Sequence, residues 1–251
     1  MKLDIVCVQE INSDHKMNTG SYEYLGPVGK LVAGFLVQKS LLDRVEFLKT
    51  ESRPRASWLK VSVDGGSFFL ASIHNHNASE TDKQQDLLMF VSTMVTKLSG
   101  HGSIVVCGDF NARVGKKYGG GEDFSDTAGK RLVLFCDTFS LIPLNVGVGK
   151  DEWYTREQGL SRSIIDYVMV EEGVKAEVGR VRHDGSDHYL LWLKLEEMMF
   201  SRSQKKTNLK TEFVFSQKRA VIYQKRLADL KSVVYDNIRL VVRQLKIEKW
   251  S

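Results

Sequence analysis

Six polar side chains, each at or beside the end of an apolar run, are the residues of this sequence best suited to chemistry. They supply four carboxylates, one amide and one imidazole: Glu10, Asp109, Asn111, Asp166, Asp187 and His188. Because the set lacks the cysteine or multiple-histidine ligands that zinc prefers, it favours Mg²⁺, with Mn²⁺ as the alternative. A carboxylate site for Mg²⁺ with one histidine suits phosphate ester hydrolysis, in which the cation offsets charge on the phosphoryl and leaving oxygens.

The tetrapeptide Gly108-Asp109-Phe110-Asn111 directly follows the apolar run 104–107. A glycine allows a sharp turn, and side chains two residues apart in an extended chain point the same way. Asp109 and Asn111 could therefore share one pocket while Phe110 enters the core. There the aspartate would activate a water molecule and the amide would hold that water or a phosphoryl oxygen. The alternative is an Asx turn that merely ends a strand.

Asp166 is a lone charge within the apolar run 164–170. Burying a carboxylate is costly unless it has a partner. The natural partner is a histidine or a metal. His188, in the sequence Ser186-Asp187-His188, could be that histidine, and a hydrogen bond to Asp166 would fix its tautomer and raise its basicity. Taken alone, a histidine beside an aspartate is also common on surfaces, and Glu10, after the first run, could equally be solvated.

Seven apolar runs predict strands, and several are nearly continuous, which is typical of strands covered on both faces. Two segments, 80–98 and 129–138, have the spacing of amphipathic helices. This order predicts a mixed α/β (α+β) fold with two packed sheets and helices outside. The predicted strands are 3–8, 31–37, 58–63, 68–73, 104–107, 164–170 and 189–195.

The charge distribution divides the chain. Residues 201–251 hold 13 lysines and arginines against 4 acidic residues, whereas residues 1–200 hold 23 against 27. We predict a catalytic domain over 1–197, a linker over 198–215 and a basic helical tail over 216–251. The tail either binds a polyanion such as DNA, docks on the domain, or is a solvated helix face.

The composition also bears on the compartment. Cys7, Cys107 and Cys136 lie in apolar surroundings without a CxxC pattern, so we expect buried thiols in a reducing compartment. No run approaches the ~20 apolar residues of a membrane span. The first residues lack the layout of a signal peptide. These features predict an intracellular protein that is neither secreted nor membrane-bound.

The motifs resemble those of the endonuclease/exonuclease/phosphatase superfamily. The matching stretches are DIVCVQE, GFLVQKSLL, SIHNHNA, VVCGDFNARVG, SIIDYVMV and GSDHYLL, in the family's order over residues 3–195. GDFNARVG and WYTREQGLSRSIIDYVMV also look like the endonuclease domains of non-LTR retrotransposons. The resemblance implies a four-layer sandwich and hydrolysis of phosphate esters.

The resemblance also implies roles for single residues. Glu10 resembles the metal-binding glutamate, and Asp187 a carboxylate near the metal. Asp109 resembles the aspartate that activates water, supported by Asn111. Asp166 resembles the aspartate that pairs with the catalytic histidine, here His188. Asn77 falls on the asparagine of the family's Tyr-x-Pro-Asn turn, in which His74 replaces the tyrosine and His76 the proline, so His74 is a hypothetical substitute donor to phosphate.

The family's sheet opens with a strand ending in asparagine, ahead of the strand that ends at Gln9-Glu10. This sequence starts at the latter strand, so we expect one central strand and one metal-site asparagine to be missing. We predict a Mg²⁺-dependent endonuclease of retrotransposon type that nicks DNA as a monomer, in the nucleus if the element is active. The alternatives are a degenerate nucleic-acid-binding remnant and a phosphatase acting on small phosphate esters.

Overall fold

Two β-sheets form the body of the described part of the molecule. The structure is a computed structural model, and it describes residues 4–13, 20–116, 124–147, 153–182, 185–195, 212–214, 239–241 and 243–244.

The first sheet has eight strands, six of which follow the order β12-β13-β14-β1-β3-β2. Strand β15 lies beside β14, and β16 beside β1. Its strands are β1 (Ile5–Ser13), β2 (Tyr22–Leu25), β3 (Gly29–Gln38), β12 (Ala176–Val181), β13 (Leu190–Leu195), β14 (Glu212–Val214), β15 (Arg239–Val241) and β16 (Arg243–Gln244).

The second sheet has six strands in the order β4-β5-β6-β7-β11-β8, and every neighbouring pair is antiparallel except β6 and β7. Its strands are β4 (Val45–Phe47), β5 (Ala56–Val63), β6 (Gly66–His74), β7 (Ser103–Asp109), β8 (Leu141–Pro143) and β11 (Asp166–Glu171). A separate two-stranded hairpin joins β9 (Arg156–Gln158) to β10 (Ser161–Ser163).

The two sheets pack against each other through a continuous apolar core. Successive side chains of a strand point to opposite faces, and β7 is buried on both. Val105 and Cys107 belong to the core between the sheets, together with Ile5 and Cys7 of β1. This burial on both faces explains why the apolar runs are nearly continuous. The three cysteines are free and buried, as predicted.

Two helices cover the outer face of the second sheet, where they confirm the predicted helical segments to within two residues. They are α1 (Thr81–Leu98) and α2 (Thr127–Phe139). Leu87 and Val91 of α1 share one core with Val106 of β7 and Leu132 of α2. The predicted mixed α+β fold of two packed sheets with outer helices is therefore confirmed. None of the helices in the described residues is long and apolar enough to cross a membrane.

The described pieces of the C-terminal region are strands. β14 lies within the predicted linker, and its backbone pairs with β13 on one side and β1 on the other. β15 and β16 lie within the predicted helical tail, so the helix is wrong at these five positions. Sheet pairing supplies their backbone hydrogen bonds, and such tertiary pairing overrides local helical periodicity. The rest of 198–251 lies outside the described residues.

Candidate active site

Three neighbouring strands of the second sheet, β6, β7 and β11, bring polar residues together at the same end of the sheet. β6 and β7 are parallel and place His74 directly opposite Asp109. β11 runs antiparallel to β7, so the first residue of β11, Asp166, lies opposite the last residue of β7. Register alone therefore aligns these three side chains, although 92 residues separate the first from the last in the sequence.

The turn after β7 depends on Gly108. Its φ is +144°, and a Cβ there would lie 1.9 Å from the Ile73 carbonyl oxygen of β6. The tight approach lets Asp109 Oδ1 accept a hydrogen bond from the Asn111 backbone N–H at 2.7 Å. The Asn111 amide donates to the Asn75 carbonyl at 3.1 Å, while Asn111 has a left-handed φ of 47°. The Asp109–Asn111 contact is that of an Asx-type turn.

Phe110 is buried between these two polar residues, as the sequence predicts. It is 1% exposed, and its ring packs edge-on against Tyr167, 6.1 Å away between centroids. The Tyr167 hydroxyl donates to the carbonyls of Ala112 and Ile164. The buried hydroxyl therefore joins the segment that follows Asp109 to the segment that precedes Asp166, and this contact stabilises the turn.

Asp166 and His188 form the predicted pair. His188 Nδ1 lies 2.8 Å from Asp166 Oδ2, and both side chains are almost completely buried. Thr155 stabilises the start of β11, because its hydroxyl accepts hydrogen bonds from the backbone N–H groups of Ile165 and Asp166. The carbonyl of Thr155 also accepts from the N–H of Tyr189, which joins the β9 segment to the histidine.

The electrostatics favour a protonated histidine. Burial alone would lower the pKa of His188, but the charge of Asp166 and the hydrogen bond to it outweigh burial, and the net pKa is raised. The pKa of Asp109 is raised well above its ordinary value, first by burial and then by the charge of Asp166. The protonation of the buried Asp109 and His188 is therefore linked through the charge of Asp166 between them.

Asp187 lies beside His188 and faces Arg156. Its Oδ2 is 2.9 Å from Arg156 Nε, and the carboxylate is 21% exposed. Burial raises the pKa of Asp187, but the positive charges of His188 and Arg156 outweigh it, so the net pKa is lowered. This carboxylate therefore stays ionised at the rim of the site, where a cation could compete with Arg156 for it.

Glu10 and His74 are joined across the two sheets. Glu10 Oε1 lies 3.1 Å from His74 Nε2. Burial lowers the pKa of His74, which the hydrogen bond to Glu10 only partly opposes. Glu10 interrupts β1 with a left-handed φ of 54°, a conformation that costs energy for any residue but glycine. The charge of Glu10 also contributes to the raised pKa of Asp109, which places it near that residue.

Asn75 and Asn77, on either side of His76, differ in burial. Asn77 is exposed on the loop after β6, whereas Asn75 is buried at 5%. The Asn75 backbone N–H donates to the Asp109 carbonyl at 2.8 Å. His76 pairs with Glu80 instead, at 3.3 Å.

Sequence reasoning missed Arg55, whose Nη1 lies 3.0 Å from His74 Nδ1. It also missed Asn145, whose buried amide spans β11 by donating to the Asp166 carbonyl and accepting from the Val168 N–H. Both are polar residues beside apolar runs, and that position is their signal in the sequence. It is a weak signal, because most such residues are solvated.

The donors present fit a divalent cation that prefers oxygen. Ligand atoms of Asp109, Asp166 and His188 lie within 4.8 Å of one another. Asp166 Oδ1 is a buried oxygen without a hydrogen-bond partner among the described residues. Two neighbouring buried carboxylates are costly without a neutralising charge. A hard cation such as Mg²⁺, which prefers oxygen ligands, can provide that charge.

Comparison with known proteins identifies the class to which this site belongs. The model of the Endonuclease/Exonuclease/phosphatase family matches residues 2–188, and the chain therefore belongs to this family of phosphoesterases and nucleases. A search of curated proteins finds no match.

Solved structures agree with this family. The chain is similar to the endonuclease domain of TRAS1, a telomere-specific non-LTR retrotransposon, with 18% identity, 74% of this chain and 83% of that chain covered, and a TM-score of 0.58. It is also similar to the 3′ phosphatase NExo from Neisseria bound to a product DNA hairpin, with 16% identity, 77% of this chain and 88% of that chain covered, and a TM-score of 0.55. A third similar structure is TDP2 from D. rerio complexed with a single-strand DNA product, with 16% identity, 74% of this chain and 83% of that chain covered, and a TM-score of 0.51. At these identities the likeness shows the fold.

Proposed function

We propose that the protein is a Mg²⁺-dependent endonuclease that hydrolyses one phosphodiester bond of duplex DNA. The proposal depends on the convergence of Asp109, Asp166 and His188 at one end of the second sheet, where their ligand atoms lie within 4.8 Å of one another. A buried aspartate beside an aspartate–histidine pair offers a base, an orienting carboxylate and an imidazolium within reach of one phosphate.

The carboxylates of Glu10 and Asp187 are the proposed ligands of Mg²⁺, with Mn²⁺ as a substitute. When bound, the cation supplies charge neutralisation on the phosphoryl and leaving oxygens. Asp109, Asp166 and His188 could also surround an ion by distance alone. We assign them to proton transfer and phosphate contact instead, because His188 Nδ1 and Asp166 Oδ2 already bond to each other at 2.8 Å.

The remaining roles follow from the contacts. Asp109 orients the attacking water and takes its proton, and a raised pKa brings its basicity closer to that task. Asn111 stays close through the Asp109 turn and holds the water or a phosphoryl oxygen. His188, held by Asp166, stabilises the charge that develops on the phosphate during in-line attack. The cleaved strand then ends in a 3′-hydroxyl.

An arginine-rich surface beside His188 favours a polymeric anion as substrate. The guanidinium of Arg180 lies 4.8 Å from the ring centroids of both Tyr154 and Tyr189. Arg162 stacks over Tyr154 at 4.4 Å, and the side chains of Arg162 and Arg182 are more than half exposed. Both of these arginines pair with Glu157 and remain exposed. Exposed, stacked arginines suit the phosphates of a nucleic acid backbone, which argues against a small ester.

The proposal is tested by nicking of supercoiled plasmid with Mg²⁺ and with EDTA. Wild type should convert plasmid to open circles only with the cation, and Asp109→Asn should be slower by ~10²–10⁴-fold. Asp64→Asn, on the exposed turn between β5 and β6, is the matched control and should nick like wild type. Equal rates with Mg²⁺ and EDTA, or full activity of Asp109→Asn, would reject the proposal.

The same preparation separates the alternatives. Binding that falls steeply with salt, without cleavage at any Mg²⁺ concentration, would identify a nucleic-acid-binding remnant. Release of inorganic phosphate from small esters, without plasmid nicking, would identify a phosphatase. If the protein nicks plasmid, we propose that it acts as a monomer in the nucleus, as expected for a retrotransposon endonuclease.

A further inference from the structure

Arg55 reaches the candidate metal site from the strand next to His74. It lies directly before β5, and its carbonyl accepts a hydrogen bond from the His74 N–H at 2.9 Å. Its side chain turns inward rather than to solvent: Nη1 lies 3.0 Å from His74 Nδ1 and 3.4 Å from the His74 carbonyl oxygen. Both backbone and side chain therefore hold Arg55 against this histidine.

The chemistry of the two groups sets the direction of the contacts. A guanidinium can only donate hydrogen bonds, so the Nδ1 that it meets must accept. The ring proton of a neutral imidazole is then on Nε2, the nitrogen that lies 3.1 Å from Glu10 Oε1. A line of hydrogen bonds therefore runs from Arg55 through His74 to the carboxylate of Glu10.

This arrangement also leaves His74 without a free face toward substrate. The ring is 4% exposed, and each of its nitrogens already has a partner on this line. A direct contact from His74 to a phosphate, which the family resemblance suggests, would require one of these bonds to break. A role that acts through Glu10 requires no rearrangement.

We infer that Arg55 is a positioning residue that acts through His74 to orient the Glu10 carboxylate for the divalent cation. This inference rests on the proposed function, because Glu10 is taken there as a ligand of the cation. Partners of this kind fix the rotamer of a ligating side chain, and their loss costs ~10–100-fold in metal affinity. The strained backbone of Glu10 makes such support more important, since β1 by itself does not hold the residue in a regular strand conformation.

The inference is tested by Mn²⁺ binding to the DNA-free protein, measured by calorimetry or by the loss of the free-ion paramagnetic resonance signal. Arg55→Met should bind Mn²⁺ at least ~10-fold more weakly, and Arg55→Lys should recover part of the affinity. Arg53→Met is the matched control two residues away, because Arg53 pairs with Asp86 on the surface at 2.9 Å. In nicking assays the Mg²⁺ concentration for half-maximal rate should rise more than the saturated rate falls.

Unaltered Mn²⁺ affinity of a folded Arg55→Met protein would overturn the inference while leaving the proposed function standing. So would a variant that binds Mn²⁺ normally but shows a raised KM for DNA, since Arg55 would then contact phosphate directly. If wild type itself binds no Mn²⁺, the assignment of Glu10 to the cation fails as well.

A measurement on wild type covers the case in which Arg55→Met does not fold. The nitrogen-15 shifts of His74 should report a neutral ring with its proton on Nε2. A proton on Nδ1 would show that this nitrogen does not accept from Arg55, and would overturn the inference.

Discussion

At the scale of single residues, the site is a set of buried charges that compensate one another incompletely. Asp109 and Asp166 lie opposite each other on neighbouring strands, and the neighbouring histidine, His188, bonds to Asp166. The second carboxylate therefore raises the free energy of the resting protein, as the raised pKa of Asp109 indicates. An enzyme that stores such a cost gains a base of suitable strength at the expense of stability.

Asp109→Asn should therefore stabilise the protein while slowing cleavage by ~10²–10⁴-fold. An acid whose pKa is raised by folding destabilises the folded state once the pH exceeds its unfolded value, 3.8, and this cost is fully present above the folded pKa. An asparagine keeps the side-chain acceptor for the Asn111 N–H and removes the charge. Thermal unfolding at pH 7.5 in EDTA should show a higher Tm than wild type, and a lower Tm would contradict the electrostatic account.

Asp166→Asn should shift the pH dependence of cleavage. The carboxylate raises the pKa of His188 against the effect of burial, so its removal should lower that pKa. The alkaline limb of the pH–rate profile, where the imidazolium loses its proton, should then move to lower pH. A profile that is lower in rate but unshifted would mean that another group sets this limb.

The raised pKa of His188 also makes the stability of the fold depend on pH. A histidine whose pKa is raised by folding contributes stability that is fully present below its unfolded value, 6.5, and is lost as the pH rises through the folded pKa. The difference in unfolding free energy between wild type and His188→Asn should thus shrink as the pH is raised from 6 upward. Urea unfolding at a series of pH values measures it, and a difference that grows with pH would be the wrong sign.

At the scale of elements, the turn after β7 is the feature on which the site's geometry depends. The parallel pair β6–β7 brings the Ile73 carbonyl to within 1.9 Å of where a Cβ of residue 108 would lie. Any side chain at 108 must therefore separate the two strands whose ends carry His74 and Asp109. Only glycine satisfies both the left-handed φ and the close approach.

Gly108→Ala should destabilise the fold by ~2–3 kcal/mol or more, because backbone strain and overpacking add. Gly66→Ala is the matched control: it lies at the start of β6, where an added Cβ meets nothing within 4 Å. Denaturant unfolding of both variants measures the difference. Similar midpoints for the two would show that β6 and β7 can separate at little cost.

At the scale of the whole molecule, the two sheets act as one frame that carries the site between them. Gln9 of β1 donates to Ser72 of β6 at 3.0 Å, a buried link between the sheets beside Glu10. The first sheet is completed by β14, which pairs with β1 in parallel and with β13 in antiparallel fashion.

Phe213→Pro should reveal how far the sheet depends on that strand. Proline removes a backbone donor and is excluded from central strands, so β1 and β13 would each lose a neighbour and expose an edge. A lower Tm and concentration-dependent self-association, measured by light scattering, are expected. An unchanged Tm would show that β14 contributes no stability to the first sheet.

The sequence by itself predicted seven of the strands, the two helices and the polar residues at the strand ends. Their signals are local: apolar runs specify burial on both faces, and Asp109, Asp166 and His188 are polar where burial demands a partner. Family resemblance in the motifs added the class of reaction. The pairing of Asp166 with His188 could be predicted because a lone buried carboxylate has few possible partners.

Only the tertiary structure decided which residues complete the site. Arg55, Asn75 and Asn145 have no distinctive local pattern, and Asn77 carries the family's motif position yet lies on the surface. The strands at 212–214, 239–241 and 243–244 are paired against their own helical or linker-like periodicity. The physical reason is the same in each case: hydrogen-bond partners distant in sequence are set by strand register and sheet packing, which no short stretch of sequence encodes.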